Sequence, residues 1–293
     1  MEDTTPRKKV TAPSILARKG GPRIKMVTAY DYPSAIIADR AGADVILVGD
    51  SLANAVLGFD DTLSVDVDVM IHHTAAVARA QTAALVVGDM PWLSYHVSIP
   101  DAVANAGRLV REGGAETVKV EGGRKRLDVI QGILDAEIPV MGHLGLTPQS
   151  VHAMGGYRVQ GKATEAAREM IGDAVALAEA GVFAIVLEGV PTLVGEIITK
   201  EVSVPTIGIG AGPRCDGQVL VFHDVLGLHD GHIPKFVRQY ANLQEQAIEA
   251  LTGYFTDLEK GTFPSEDESY AMSEEAASAL LRDEPQGDPF DAF

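Results

Sequence analysis

Eight short apolar runs, separated by amphipathic stretches, constrain the fold of this chain more than any other feature. They cover residues 24–29, 44–49, 84–88, 116–120, 138–142, 183–187, 206–209 and 219–222. The runs are continuous rather than alternating, the pattern of parallel strands buried on both faces. Helical periodicity fills the gaps. In Thr164–Ala180, residues Ala167, Met170, Ile171, Ala174, Leu177 and Ala178 share one face, and Gly181 stands where a C-terminal cap belongs. Ser98, Ile99, Pro100 and Asp101 form a helix-start signature with proline in the first turn, and Gly113 and Gly114 stop that helix. Strand and helix alternating eight times predict an α/β fold, a (β/α)8 TIM barrel, with an open doubly wound sheet as the runner-up. The expected organisation is an N-terminal segment at 1–22, one barrel domain at 23–262, and an acidic, disordered tail at 263–293. The barrel domain takes in a C-terminal amphipathic helix through Phe236, Tyr240, Leu243, Ala247, Ile248, Leu251, Tyr254 and Leu258, closed by Gly261. That helix covers either the barrel or another subunit.

Composition narrows the function. The 24 Lys and Arg face 41 Asp and Glu, a net charge of −17, which argues against nucleic acid as a partner. Nine of the acids lie at 265–293 beside a single base, Arg282, so the tail reads as a solvated appendage. Hydrophobic residues make up 46%, enough for a large core. No window approaches the roughly 18 apolar residues of a membrane span, and the basic N-terminus is followed by no apolar stretch of a signal peptide. Cys215 is the only cysteine and has no intramolecular partner. The expectation is a cytoplasmic protein with small-molecule partners and no membrane contact.

The informative positions are the ends of the runs. Four finish in a carboxylate: Asp50 in ILVGD, Asp89 in LVVGD, Glu121 in TVKVE and Glu188 in AIVLE. A buried carboxylate is costly unless it is paired, binds a metal or reaches solvent, and barrel active sites collect at the C-terminal ends of the strands. Each acid alone could be a cap or an ion pair. Four converging on one mouth would repel one another, and a divalent cation is the simplest neutraliser. An all-oxygen donor set suits Mg2+, whereas zinc would call for His or Cys. Lys119 lies two residues before Glu121 and points the same way, either as a structural ion pair or as a cation of the site. His143, in the loop string HLGLTPQS, is either a hydrogen-bonding support or local loop structure. His72 and His73 are adjacent on a helix and diverge, so they read as structural or surface histidines.

Two loops exceed what a barrel requires, at 51–66 and 143–162, and long loops on the active face are usually lids or binding loops. The second carries Gly155, Gly156, Tyr157, Arg158 and Gly161, suited to closing over a flat ligand or to an ordered surface loop. Asp60 and Asp61 read as turn residues. Gly208, Gly210 and Gly212 form either a phosphate-type loop or a close backbone packing point, without dinucleotide or P-loop spacing.

The strings TAYDYPSA at 28–35, VGDS at 48–51, HHTAAV at 72–77, KVEGG at 119–123, GHLGLTPQS at 142–150, GGYRVQGK at 155–162, IGIGAG at 207–212, DGQVLV at 216–221 and GHIPKF at 231–236 resemble the ketopantoate hydroxymethyltransferase family. The resemblance runs in order over most of the chain. It implies a barrel of the phosphoenolpyruvate/pyruvate type, a cytoplasmic homo-oligomer (a decamer), and Mg2+ as cofactor. The implied reaction passes a one-carbon unit from 5,10-methylenetetrahydrofolate to 2-oxoisovalerate (3-methyl-2-oxobutanoate), giving 2-dehydropantoate for pantothenate and coenzyme A synthesis.

By the same resemblance Asp50 and Asp89 match the family's metal ligands, and Glu121 its third metal-associated acid, acting directly or through water. Asp50, Ser51, Asp89 and Lys119 match the keto-acid contacts, and Glu188 the proton acceptor at C3, a role that a raised pKa would favour. Gly88 and Met90 around Asp89, Gly189 after Glu188 and Cys215 before Asp216 depart from the family pattern without removing a charge. The alternative function is another Mg2+-dependent α-keto-acid C–C lyase on the same barrel, which needs no folate. A silent scaffold barrel is the other rival, and the intact charged set argues against it.

Overall fold

The computed structural model describes residues 7–228, 231 and 233–283. Eight strands form a closed barrel in chain order: β1 (Ile24–Thr28), β2 (Val45–Val48), β3 (Leu85–Asp89), β4 (Thr117–Glu121), β5 (Val140–Gly145), β6 (Ala184–Glu188), β7 (Thr206–Ile209) and β8 (Gly217–Leu220). Every neighbouring pair is parallel, and β8 closes on β1 through Gly217 opposite Ile24 and Val219 opposite Met26. The predicted (β/α)8 barrel is therefore the observed fold, and the open sheet is excluded.

Two boundaries differ from the sequence reading. β8 begins at Gly217, two residues before the predicted run, because backbone approach outweighs apolarity there. A Cβ on Gly217 would stand 2.7 Å from Ile24, a contact that only glycine avoids. β5 continues through Gly145 and so takes His143 into the strand rather than the loop. The helix Thr164–Ala180 ends on Gly181 in the left-handed conformation, as its sequence requires. Ser98 accepts a hydrogen bond from the Asp101 amide and starts the helix Ile99–Arg111.

Alternation along the strands sorts the core into two clusters. Ile46, Val48, Val86, Val118, Val120, Ile185 and Leu187 pack outward against the helices, with Leu109, Ile130, Ile133 and Leu177. Met26, Val45, Leu47, Leu85, Val87, Met141, Val186, Ile207 and Val219 fill the barrel interior. The interior cluster also contains Val10, Ala12 and Ile15, so the short helix Ala12–Leu16 plugs the N-terminal end of the barrel. The segment before residue 23 is thus part of the barrel's packing.

The chain divides into two compact units, at residues 1–241 and 242–293. The second contains the helix Leu243–Lys260, which the sequence reading grouped with the barrel domain; Phe236 and Tyr240 precede that helix. Within the acidic segment, residues Glu274–Asp283 form a helix. Ala and Leu favour it, and Glu274 and Glu275 in its first turn with Arg282 in its last suit the helix dipole. The rest of the expected tail, 284–293, lies outside the described residues. Among the described residues, no helix is long and apolar enough to cross a membrane.

Asp216, 8% exposed, ties the plug to the wall. Its carboxylate accepts from Lys19 Nζ at 3.0 Å, the Gly20 amide at 3.0 Å and the Thr206 amide at 2.9 Å. Burial alone would raise its pKa, but these donors outweigh it and hold the carboxyl below the usual range. A depressed pKa contributes stability that is present above the unfolded value and is lost as pH falls through the folded one. Asp216→Asn is expected to cost about 1–3 kcal/mol at pH 7. In urea melts, the gap between variant and parent should close below the unfolded carboxyl value of about 3.9.

Candidate active site

The inner face of each strand changes character as it climbs. Along β3 it runs Leu85, Val87, Asp89; along β4, Thr117, Lys119, Glu121; along β5, Met141, His143; and along β6, Ala184, Val186, Glu188. The apolar lower layers are shared core, and the ionisable groups emerge together at the C-terminal mouth. Strand register makes them neighbours: Asp89 pairs with Lys119, and Glu121 with His143. Asp50 follows β2, and its amide donates to Asp89 Oδ2 at 3.3 Å.

Asp50, Asp89, Lys119, Glu121 and His143 are all at most 3% exposed. Lys119 Nζ stands 3.0 Å from Asp89 Oδ1 and 4.0 Å from Glu121 Oε1. His143 sits between two acids, with Nδ1 3.3 Å from Glu121 Oε1 and Nε2 3.3 Å from Glu188 Oε2. Glu188 is the rim member, its side chain 18% exposed. Ser51 shares a hydrogen bond of 2.8 Å with the buried Tyr30 hydroxyl, which orients it beside Asp50. The structure thus brings together Asp50, Asp89, Lys119, Glu121 and Glu188, with Ser51 next to Asp50.

Gln149 and Tyr95 complete the arrangement. Gln149 donates from Nε2 to Asp50 Oδ2 at 2.9 Å and from its amide to Glu121 Oε2 at 3.2 Å. Its own carbonyl accepts from the Tyr95 hydroxyl at 2.6 Å, and that hydroxyl in turn accepts from the Glu121 amide at 3.3 Å. Sequence reasoning passed over both residues. Gln149 stood in the GHLGLTPQS string, but a neutral side chain carries no charge signal, and Tyr95 had no motif at all. His143 carried a signal in its strand-like spacing, two residues after the inward-facing Met141.

Electrostatics follow from burial. Burial, then Asp89 and Glu121, push the Asp50 carboxyl well above its ordinary value. Burial likewise raises Asp89 despite the opposing Lys119. Burial works against Glu121 too, but the adjacent His143, with Lys119 and the Gln149 amide, holds it low. His143 is disfavoured as a cation by burial and by Lys119, yet Glu121 and Glu188 outweigh both and lift it to about 9. Lys119 is likewise lifted above its usual value by Asp89, Glu121 and Asp50 against the cost of burial. The pair Asp50 and Asp89 is the part with an excess of negative charge.

Among the described residues, no group of three or more His, Cys, Asp or Glu side chains is arranged to hold a metal ion by itself. Two observations nevertheless fit a hard divalent ion. Asp89 Oδ1 and Glu121 Oε1 are buried without a well-formed hydrogen bond, although both lie within ion-pair range of Lys119. Asp50 and Asp89 adjoin, and among the described residues only Asp89 of the two has an ion-pair partner, Lys119. Mg2+ characteristically takes one or two carboxylates and completes its shell with water and substrate oxygens.

The remaining candidates are structural. His73 Nδ1 bonds the Tyr30 carbonyl at 2.7 Å. Asp61 accepts from the Leu63 amide at 2.9 Å, a turn contact. A Cβ on Gly210 would stand 2.7 Å from the Phe236 ring and one on Gly212 2.6 Å from Thr192, so the glycine-rich stretch serves close packing. Cys215 is buried, its thiol pushed up by burial. The loop after β5, at 146–163, folds into a turn at Pro148–Ser150 and a short helix at Val151–Met154.

The closed parallel barrel is shared with solved structures of low sequence identity. Phosphoenolpyruvate phosphomutase from Streptomyces platensis superposes with a TM-score of 0.56 at 16% identity, over 93% of this chain and 95% of that one. 2,3-Dimethylmalate lyase, a PEP mutase/isocitrate lyase superfamily member, gives 0.54 at 14% identity over 93% and 95%. At this identity the likeness establishes the fold. The sequence goes further: residues 9–266 match the ketopantoate hydroxymethyltransferase family, and the chain belongs to it. It is 58% identical to the 3-methyl-2-oxobutanoate hydroxymethyltransferase of Moorella thermoacetica, covering 90% of this chain and 98% of the relative. With the enzyme of the same name from Syntrophomonas wolfei the identity is 56%, over 90% and 95%.

The site makes a stability prediction. Lys119→Met removes the ammonium next to Asp89 and Glu121, leaving buried acids short of a cation. In metal-free buffer this should cost about 3–5 kcal/mol in chemical denaturation. A loss under about 1 kcal/mol, no more than an exposed pair contributes, would show that the acids do not depend on Lys119.

Proposed function

We propose that this chain transfers a hydroxymethyl unit from 5,10-methylenetetrahydrofolate to 3-methyl-2-oxobutanoate, forming 2-dehydropantoate, with Mg2+ as cofactor. The observation that carries the reading is the convergence of Asp50, Asp89, Glu121, Lys119 and the His143–Glu188 pair at one barrel mouth, in a chain of this family. The working form is a cytoplasmic homo-oligomer, a decamer by resemblance to the family.

Asp50 and Asp89 would hold the ion, assisted by Glu121. When bound, Mg2+ supplies Lewis acidity to the keto acid's oxygens. Lys119 offsets negative charge as C3 loses its proton, and Ser51 donates a hydrogen bond to the keto acid; both are oriented before the reaction by Asp89 and Tyr30. Glu188 takes the C3 proton on its carboxylate. His143, with Nε2 3.3 Å from that carboxylate, keeps it aimed from the strand. The long loop at 146–163 excludes water from the electrophilic one-carbon unit.

Asp89→Asn is expected to weaken Mg2+ binding and turnover together, measured by calorimetry and product formation. Unchanged metal affinity would remove Asp89 from the ligand set. Glu188→Gln is expected to leave Mg2+ affinity intact while hydrogen–deuterium exchange at C3 falls by about 10²-fold or more, the usual contribution of a positioned base. Normal exchange in that variant would reassign the base. Product formed without folate would move the chain to the C–C lyase class.

A further inference from the structure

A second charged cluster sits beside the acids and takes no part in the chemistry above. It comes from the loop after β3 and the loop after β4: His96, Lys125 and Arg126. Gly122 is the hinge, at φ 114°, where a Cβ would meet Arg126 Cγ at 3.0 Å and Lys125 Cε at 3.2 Å. Only glycine lets both basic side chains fold back against the strand end at this point.

The cations of this cluster have no counter-charge. The neighbouring Arg124 is paired with Asp173 at 2.6 Å. Among the described residues neither Lys125 nor Arg126 has a carboxylate within ion-pair range, and Arg126 Nε is buried with no acceptor. His96 Nδ1 is also buried with no partner. Burial, then Arg126 and Lys125, press the His96 pKa down to about 4, so this imidazole is neutral at pH 7 and adds no repulsion to an incoming anion. In a chain of charge −17, where carboxylates are abundant, an arginine with a dry, unsatisfied donor is an unmet demand for an acceptor.

Tyr95 fixes the cluster's distance from the acids. Its hydroxyl bonds Gln149 and the Glu121 amide, and its ring carries Arg126 Cζ 5.6 Å from the centroid and the His96 ring at 4.2 Å. Arg126 therefore packs on the ring of Tyr95, while the hydroxyl of the same side chain belongs to the acid network. The second substrate of the proposed reaction has its reactive carbon at one place and its glutamyl carboxylates an aromatic ring further on.

We propose that Arg126 and Lys125, with His96 beside them, form the subsite that binds the glutamyl carboxylates of the folate co-substrate. This rests on the proposed one-carbon transfer and names the residues that hold its carrier. Arg126 is the bidentate partner, and Lys125, exposed, gathers further glutamates by charge.

The test compares Arg126→Ala, Arg126→Lys and Lys125→Ala with the parent, using mono- and triglutamyl methylenetetrahydrofolate. Arg126→Ala should raise the folate KM about tenfold or more, the loss of one charge-assisted hydrogen bond. Arg126→Lys should recover part of it, and the keto-acid KM should hold. Lys125→Ala, on the surface and no threat to folding, should erase the preference for the triglutamate. Titration of tetrahydrofolate triglutamate in rising salt gives a readout independent of turnover, and affinity should fall with salt in the parent and less in the variants. Unchanged folate KM and affinity in both alanine variants would overturn the subsite. A rise confined to the keto-acid KM would overturn it as well, by assigning the cations to that substrate. Absence of product from the folded parent would defeat the one-carbon reading, while the titration would still decide whether these residues bind the carrier.

Discussion

The structure depends on burying acids next to too few cations. Asp50, Asp89 and Glu121 lie almost wholly out of water with one ammonium, Lys119, and one imidazole, His143, among them. Desolvating a carboxylate costs several kcal/mol after relaxation, and even well-placed partners rarely do more than offset that cost. A fold that retains such a cluster therefore has to be stable for other reasons. Here those reasons are the two apolar layers below the mouth and the plug of Val10, Ala12 and Ile15 that seals the opposite end. The strain is confined to one rim of the barrel, where two acids remain undercompensated and ready for a cation or a substrate.

Division of labour between the two sides of the cluster follows from which neighbour each acid meets. Asp50 and Asp89 face each other and are pushed toward neutrality, the state of groups that gain most from an added positive charge. Glu121 faces His143, Lys119 and the Gln149 amide and stays ionised without help. His143 hands that order on to Glu188 at the solvent edge, so one imidazole links the buried Glu121 to the rim carboxylate. The same side-chain type thus meets three different environments, separated only by strand register.

Much of this was legible in the sequence because a parallel barrel converts linear spacing into position. Period-two alternation aligns Lys119 with Glu121, and the carboxylate at the end of each of four apolar runs marks the mouth. What spacing could not show is pairing across strands. Whether His143 belonged to a strand or a loop depended on where β5 stopped, and Gly145 looked like a loop residue. Its own place is set by the neighbouring strand: a Cβ there would stand 2.2 Å from the Glu188 carbonyl. Gln149 and Tyr95 were invisible for another reason. They are neutral, they come from loops, and their role exists only through the groups they join. The early start of β8 was hidden because a glycine there is chosen for what approaches it, not for its own burial.

The same logic explains why the mouth carries two charge systems rather than one. The keto acid is small and needs a tight, dry centre, which the strand ends supply with fixed side chains. A folate is long, flat and anionic at its far end, and a centre of buried acids repels that end. Selectivity then requires cations displaced from the acids by about the width of a ring. Tyr95 provides that spacing: its hydroxyl belongs to the acid network and its face to Arg126 and His96. Bringing Arg126 closer would neutralise the buried acids, and moving it further out would lose it to water, where a charge pair contributes little.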